Sequence, residues 1–592
     1  MKHKIIGALV CAVLFMFSSC GEDFLYKAPK GSVDNIALAN ETGVDLLVTA
    51  AYFQLIGPHW WGSGVFNWTF GGMYGGDANK GSDSNDQSVL NEMETYRITN
   101  TNGYLENKWN WLYRGSSRVN LALQVLNDAE MPDSKKNVLR GELLFLRAVY
   151  YFDAVKVFGP YLPFLDETIA DNDPKAYNDK DIYPNILADV DAAISLLPNK
   201  PADVGRAYAW AAKMLKAKIL MQQGKMAEAK PILADVLNNG RTASDKKYAL
   251  TNDLTDNWNC SMDNTSPESI FEVQYSADGN NKGMPSLSLA YPHNSGPGGC
   301  CGFYQPSAEL ANSFQVDANG LPYLNGEYRT NGKLVSQLQA ETGKVMLIAD
   351  PTTRALTTND ANLAVDPRLD FAIGRINIPY KDYGAALNWV RDYTNGGIYL
   401  PKKHVYTQAD ADAGLGRSGM NGGWAPGSAM NLQYLSVRDA MLLYAECLAN
   451  DGDLSGAMGY VNQIRARAKL PVNIIKQADG TPAANYQIEL YPATHQAFTN
   501  KDVCIKAVRM ERKLEMAMEH QRFFDLARWG GAYMSQAIAD YLSYEKNHIG
   551  KFNNIPALSA DKLYFPIPLS QIETMGKDEN GQPYLTQHGP WK

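Results

Sequence analysis

Two stretches of this 592-residue chain follow one template: Ala217-Lys-Ile-Leu-Met-Gln-Gln-Gly-Lys-Met-Ala-Glu-Ala229 and Ala445-Glu-Cys-Leu-Ala-Asn-Asp-Gly-Asp-Leu-Ser-Gly-Ala457. Their turn glycines, Gly224 and Gly452, coincide. So do the small residues Ala217/Ala445 and Ala229/Ala457 and the apolar followers Leu233/Val461 and Val236/Ile464. A helix, a glycine turn and a second helix with small residues at the contact is the tetratricopeptide pattern. A single such unit cannot bury its own apolar face, so it must stack on others. Thr42–Leu55 and Asn107–Phe158 carry helical periodicity and are the candidates for further pairs. The expected fold is therefore mainly α, a scaffold of about four tetratricopeptide-like helix pairs over residues 40–240 and 430–530.

Between about 240 and 430 the texture changes to Gly, Pro, Asn, Asp and Tyr, as in Asp278-Gly-Asn-Asn-Lys-Gly-Met-Pro285 and Asn294-Ser-Gly-Pro-Gly-Gly299. These are turn residues, and long ordered loops usually carry function. We read residues 20–592 as one domain whose loop-rich insertion forms the working surface and whose C-terminal segment is 530–592. The balance of 55 Lys and Arg against 63 Asp and Glu gives a net charge of −8. No overall positive field exists to attract nucleic acid, which is excluded as the expected partner.

At the N-terminus, Lys2 and Lys4 precede an apolar run from Ile5 to Phe17 and then Ser18-Ser19-Cys20. The run is too short to span a bilayer but suits a secretory signal. A cysteine at the cleavage point predicts a lipoprotein signal over residues 1–19, with Cys20 lipidated. Of the remaining cysteines, Cys260, Cys300, Cys301, Cys447 and Cys504, no pair has metal or redox spacing. Cys447 falls in a helical apolar pattern and reads as core. Cys300 and Cys301 are compatible with a vicinal disulfide or with two free thiols.

No nucleophile elbow, phosphate loop, zinc helix or dinucleotide fingerprint is present. Glu511, Glu515 and Glu519 lie on one helical face, but Arg509, Arg512, Lys513, Arg522 and Arg528 surround them, so a salt-bridged helix is favoured over glycosidase carboxylates. Asp77–Gln87 has alternating oxygen ligands reminiscent of a calcium loop, with its glycine misplaced and no closing glutamate. Calcium is a weak expectation there, an Asx turn the stronger one; no other cofactor or metal is expected.

The aromatic residues are the remaining signal. Trp60, Trp61, Trp68 and Tyr74 sit among Gly and Asn, and Tyr291, Phe303, Tyr304, Tyr380, Tyr383, Trp389 and Trp424 recur in the insertion. Sugars present apolar C–H faces ringed by hydroxyls, so flat rings beside amides, carboxylates or guanidinium groups suit a glycan. The ligand-binding set expected on this reasoning is Trp60, Trp61, Trp68, Tyr74, Asp77, Asn79, Tyr291, Asn294, Phe303, Tyr304, Arg375 and Trp389. Lys282, Arg375, Lys381 and Arg391 leave neutral and acidic glycans both open.

Several motifs, in order, resemble the SusD/RagB-like outer-membrane nutrient-binding lipoproteins of Bacteroidetes. They are Cys20-Gly-Glu-Asp-Phe-Leu25, Gly75-Gly-Asp-Ala-Asn-Lys-Gly-Ser82, Leu139–Phe152, Ser266–Val273, Asp366–Asp370, Val437–Glu446, Glu511–Gly530 and Phe565-Pro-Ile-Pro568. Glu22 and Asp23 resemble the acidic tag of surface-exposed lipoproteins in that group. The resemblance implies a non-catalytic glycan-binding lipoprotein, anchored in the outer membrane and facing outward. It also implies a partner, a SusC-like TonB-dependent transporter to which the ligand is delivered. Gly298-Gly-Cys-Cys-Gly-Phe-Tyr-Gln-Pro306 departs from the family's binding-loop pattern by lacking a tryptophan, which Phe303 or Tyr304 would replace. A peptide or other non-sugar nutrient is the alternative ligand, and a surface glycosidase the alternative activity.

Overall fold

The computed structural model describes residues 35–58, 61–169, 175–278, 283, 285–331, 363–387 and 389–592. The signal segment, Cys20, Trp60 and Lys282 lie outside the described residues.

The scaffold is a stack of antiparallel helix pairs. Helices α1 (Glu41–Phe53) and α2 (Gly103–Asp128) form the first pair, α3 (Asp133–Phe158) and α4 (Tyr183–Leu196) the second. Helices α5 (Ala209–Gln222) and α6 (Met226–Asn239) form the third, α7 (Val437–Asp451) and α8 (Leu454–Ala468) the fourth. Helix α9 (Lys501–Glu515) closes the stack against α7 and α8. Sequence caps several of the starts: Asn40, Asn102, Asp453 and Asn500 each accept a backbone N–H of the first turn.

The matched positions of the two copies do the same work. Gly224 and Gly452 adopt φ of 73° and 87°, the left-handed turn that glycine takes without strain. Ala217, Ala229, Ala445 and Ala457 are fully buried, as are Leu233, Val461, Val236 and Ile464. The third and fourth pairs are neighbours in space, because α6 packs on α7 across the whole insertion.

The insertion is held by short antiparallel strand pairs. Strand β2 (Ser269–Val273) pairs with β8 (Leu432–Ser436), which brings the two ends of the insertion together. Strand β1 (Ala78–Gly81) pairs with β3 (Phe303–Pro306), and β4 (Ile373–Gly374) with β5 (Leu400–Pro401). Strands β6 (Gly416–Asn421) and β7 (Ala425–Ser428) form a hairpin. Two further helices, α10 (Arg522–Arg528) and α11 (Gly531–Glu545), follow the scaffold.

Charged side chains lock the insertion to the stack. Glu511 accepts from Arg368 at 2.6 Å and Arg465 at 3.1 Å; Glu515 pairs with Arg467 and with Arg368 at 3.1 Å. Glu519 accepts from Lys403 at 2.8 Å and Arg438 at 2.9 Å. All three glutamates are buried, each facing two cations, as the salt-bridged reading requires, but α9 ends at Glu515 and Glu519 lies in the turn before α10 rather than on the same helix.

Candidate functional site

The first aromatic segment is anchored from below. Asn67 donates to Asp153 of α3 at 2.7 Å, and Asp153 also pairs with Lys108 and, at 3.0 Å, with Lys156. Residues Trp68–Met73 then form a wide π-helical turn. Gly71 and Gly72 are required here: a Cβ on Gly71 would meet the His520 carbonyl, and one on Gly72 the Tyr304 ring and hydroxyl.

That close approach turns most of the expected ligand rings inward. Trp68 is fully buried, its indole N–H donating to the Trp61 and Ser286 carbonyls at 2.8 and 3.1 Å, edge-on to Phe303 and Tyr304. Tyr74 packs on Tyr96, Phe523 and Phe565, and burial raises its hydroxyl pKa. Phe303 and Tyr304 are buried by the β1–β3 pairing. Tyr291 and Trp389 belong to a second small core with Tyr380 and Tyr406. These six rings form core, not surface, contrary to the sequence expectation, because partners distant in sequence cover them.

The expected polar residues are also largely occupied. Asn79 is fully buried, donating to Glu545 at 2.8 Å and accepting from Tyr541 at 2.8 Å. Arg375 is buried in a fork-to-fork pair with Asp370, at 2.7 and 2.6 Å. Asp77 is buried, accepts the Met518 N–H at 3.3 Å, and is pushed up to about 7 by that burial. Asn294 is exposed, but its amide donates to the Val390 carbonyl at 2.5 Å. Lys381 is bonded to backbone carbonyls, and Arg391 pairs with Asp83 and Asp86 at 2.7 and 2.6 Å. The Asp77–Gln87 loop wraps the Lys80 ammonium, which donates to the Asp83 and Asp86 carbonyls at 2.9 and 2.7 Å.

What remains facing outward is a smaller aromatic patch. Trp61 is half-buried and meets Trp424 edge to face, with ring centroids 5.4 Å apart and planes at 78°. Trp424 is 49% exposed at the tip of the β6–β7 hairpin, after Gly422 and Gly423. The aromatic pattern pointed to Trp424 only as one ring among many; its place after two turn glycines was the signal that it sits at a tip. The same hairpin flanks the Gly298–Gly302 turn, where Pro426 approaches Gly298 and Ser418 approaches Gly299. Cys300 and Cys301 are joined there by a disulfide, with Cys300 half-buried and Cys301 buried. The patch is thus two indoles, one on a loop and one on a hairpin, and that hairpin flanks the disulfide-bearing turn.

A model of the SusD family matches residues 267–582, just over half of the chain, and a model described as starch-binding associating with outer membrane matches residues 70–221. A SusD-like protein of Bacteroides ovatus is 23% identical over 548 residues, covering 89% of this chain and 83% of the relative. A solved SusD-like protein from Bacteroides fragilis superposes with a TM-score of 0.64 at 20% identity, covering 95% of this chain and 99% of that one. A structure described as a laminarin binding SusD-like protein gives 0.60 at 21% identity, covering 93% and 99%. With the helix-pair stack, the buried Glu511–Gly530 motif and the family match in agreement, the chain belongs to the SusD family.

Proposed function

We propose that this protein is a glycan-binding lipoprotein of the outer membrane, facing outward, which captures oligo- or polysaccharide and passes it to a TonB-dependent transporter. The observation that carries the reading is the outward-facing Trp61–Trp424 pair. Two indoles at a steep angle offer a face and an edge to successive sugar rings. The SusD family match and the laminarin-binding neighbour support a glycan ligand, and the second family description supports the outer membrane. The lipobox ending in Cys20 supports anchoring. No chemistry is asked of the protein: Glu511 and Glu515 are consumed by arginines and buried.

Calorimetric titration against a glycan panel that includes laminarin tests the site. Trp61→Ala/Trp424→Ala is expected to weaken glycan binding about tenfold or more, the loss of two stacking contacts. Unchanged affinity in that variant, or a blank panel alongside a bound peptide, would count against it. Release of the protein from membranes by Cys20→Ala, and co-purification of a barrel with the native lipoprotein, test the anchor and the delivery step.

A further inference from the structure

A cavity of about 360 Å³ opens between α9, α10, α11, the 324–329 segment and Gly75–Asp77. Neither Trp61 nor Trp424 lines it. Its cations are Arg329, Lys506, Arg509, Lys513 and Arg522, against the carboxylates Asp77, Glu309 and Asp540. Glu309 is used by Lys513 and Arg329, and Asp540 by Arg329.

Arg509 and Arg522 differ from their neighbours on the same helices. Arg512 clasps Asp439 and Asp525, and Arg528 clasps Asp525 and Glu446. Among the described residues, neither Arg509 nor Arg522 has a carboxylate within ion-pair distance, and Arg522 acts only at longer range on Asp77 of the same cavity wall. Arg509 instead lies over Trp529 and Tyr533, two rings at 89° to each other, with its guanidinium carbon 4.7 and 4.5 Å from their centroids. Its Nε is buried and has no hydrogen-bond acceptor. Arg522 lies 5.9 Å from the Trp529 ring. Exposed Lys506 is tethered to Asn325 Oδ1 at 2.8 Å. Contact with aromatic rings holds a guanidinium in place without using its donors, which stay available to an incoming anion.

We infer that this cavity is an oxyanion-binding site, separate from the aromatic patch, which takes the carboxylate or sulfate group of an acidic sugar residue between Arg509 and Arg522. Arg509 and Arg522 donate in the plane of the anion, Lys506 adds charge at the rim, and Tyr533, 38% exposed, borders the sugar ring. The volume is at the small end of ligand sites and suits one charged residue of a chain.

Titration of the purified protein with glucuronate, inorganic sulfate and glucose tests it. Saturable binding of glucuronate or sulfate, with none of glucose, is expected, and the stronger of the two anions identifies the group. Arg509→Gln/Arg522→Gln should weaken the anion about tenfold or more, the loss of charge-assisted hydrogen bonds. Lys506→Gln, at an exposed rim position that cannot disturb the core, should weaken it about threefold. Trp61→Ala/Trp424→Ala should leave anion binding intact, so this site stands or falls apart from the glycan patch. Failure of both anions to bind the wild-type protein, equal binding of glucose, or unchanged affinity in folded Arg509→Gln/Arg522→Gln would overturn the assignment.

Discussion

Burial divides the tryptophans of this protein by task. Trp68 has its ring and its N–H both satisfied inside the core, whereas Trp424 is half in water against Trp61. Trp68→Ala is expected to cost about 3–5 kcal/mol. Trp424→Ala should stay within about 0.5 kcal/mol of wild type, as surface changes do. Urea unfolding followed by tyrosine-sensitive fluorescence and circular dichroism reads both. Burial also dictates a pH response. His404 is lowered to about 3 and His520 well below its ordinary value, chiefly by desolvation, with Lys403, Lys381 and Arg438 near His404 adding to the effect and Glu519 opposing it. A histidine held neutral when folded but free to protonate when unfolded contributes stability above about pH 6.5 that is lost as pH falls towards its folded value. The melting temperature of wild type should therefore drop more steeply between pH 7 and pH 5 than that of His404→Phe. Comparing the two slopes removes Asp77 and Glu545, both raised to about 7 by burial, which act in the opposite sense. None of this was legible in the residues alone. A tryptophan among glycines reads as a loop ring, but whether Tyr304 or solvent lies over it depends on chain more than two hundred positions away.

The elements were far more readable, because helix pairing is written in local spacing. Small residues at the contact, a glycine at the turn and apolar followers predicted α5–α6 and α7–α8, and the structure has all of them in those roles. The π-helical turn had no such signature: its Trp68-Thr-Phe-Gly-Gly-Met73 run looks like a loop, and only the tight approach of His520 and Tyr304 explains its glycines. The two kinds of glycine should respond differently. Gly452 has open space where a Cβ would go, so Gly452→Ala is expected to cost only its left-handed backbone, about 1–2 kcal/mol. At Gly71 the new Cβ would meet a carbonyl and the Phe524 ring, so Gly71→Ala should cost at least twice as much. Thermal unfolding of the two variants side by side checks the ordering.

At the scale of the molecule, a mainly helical frame carries an irregular insertion, and the join between them is ionic and buried. Glu515 sits where α8, the insertion and α9 meet, bonded to Arg467 and Arg368. Glu515→Gln removes one anion from each arginine, but Arg368 keeps Asp366 and Glu511 and Arg467 keeps Glu268, so the variant is expected to destabilise the whole protein by about 1–3 kcal/mol. Helical ellipticity and tryptophan fluorescence should fall together in that variant. Separate transitions would mean that the frame and the insertion unfold independently.

The contact between Met226–Asn239 and Val437–Asp451 also bears on how the chain reaches this state. Closing a loop of about 200 residues costs little equilibrium free energy, since the entropy grows only with the logarithm of length, but such distant contacts slow folding. On a chain emerging from its N-terminal end, the first three helix pairs can assemble early, yet the third keeps an uncovered apolar flank until the fourth arrives. That flank is the surface a holding chaperone would have to shield until the fourth pair is made.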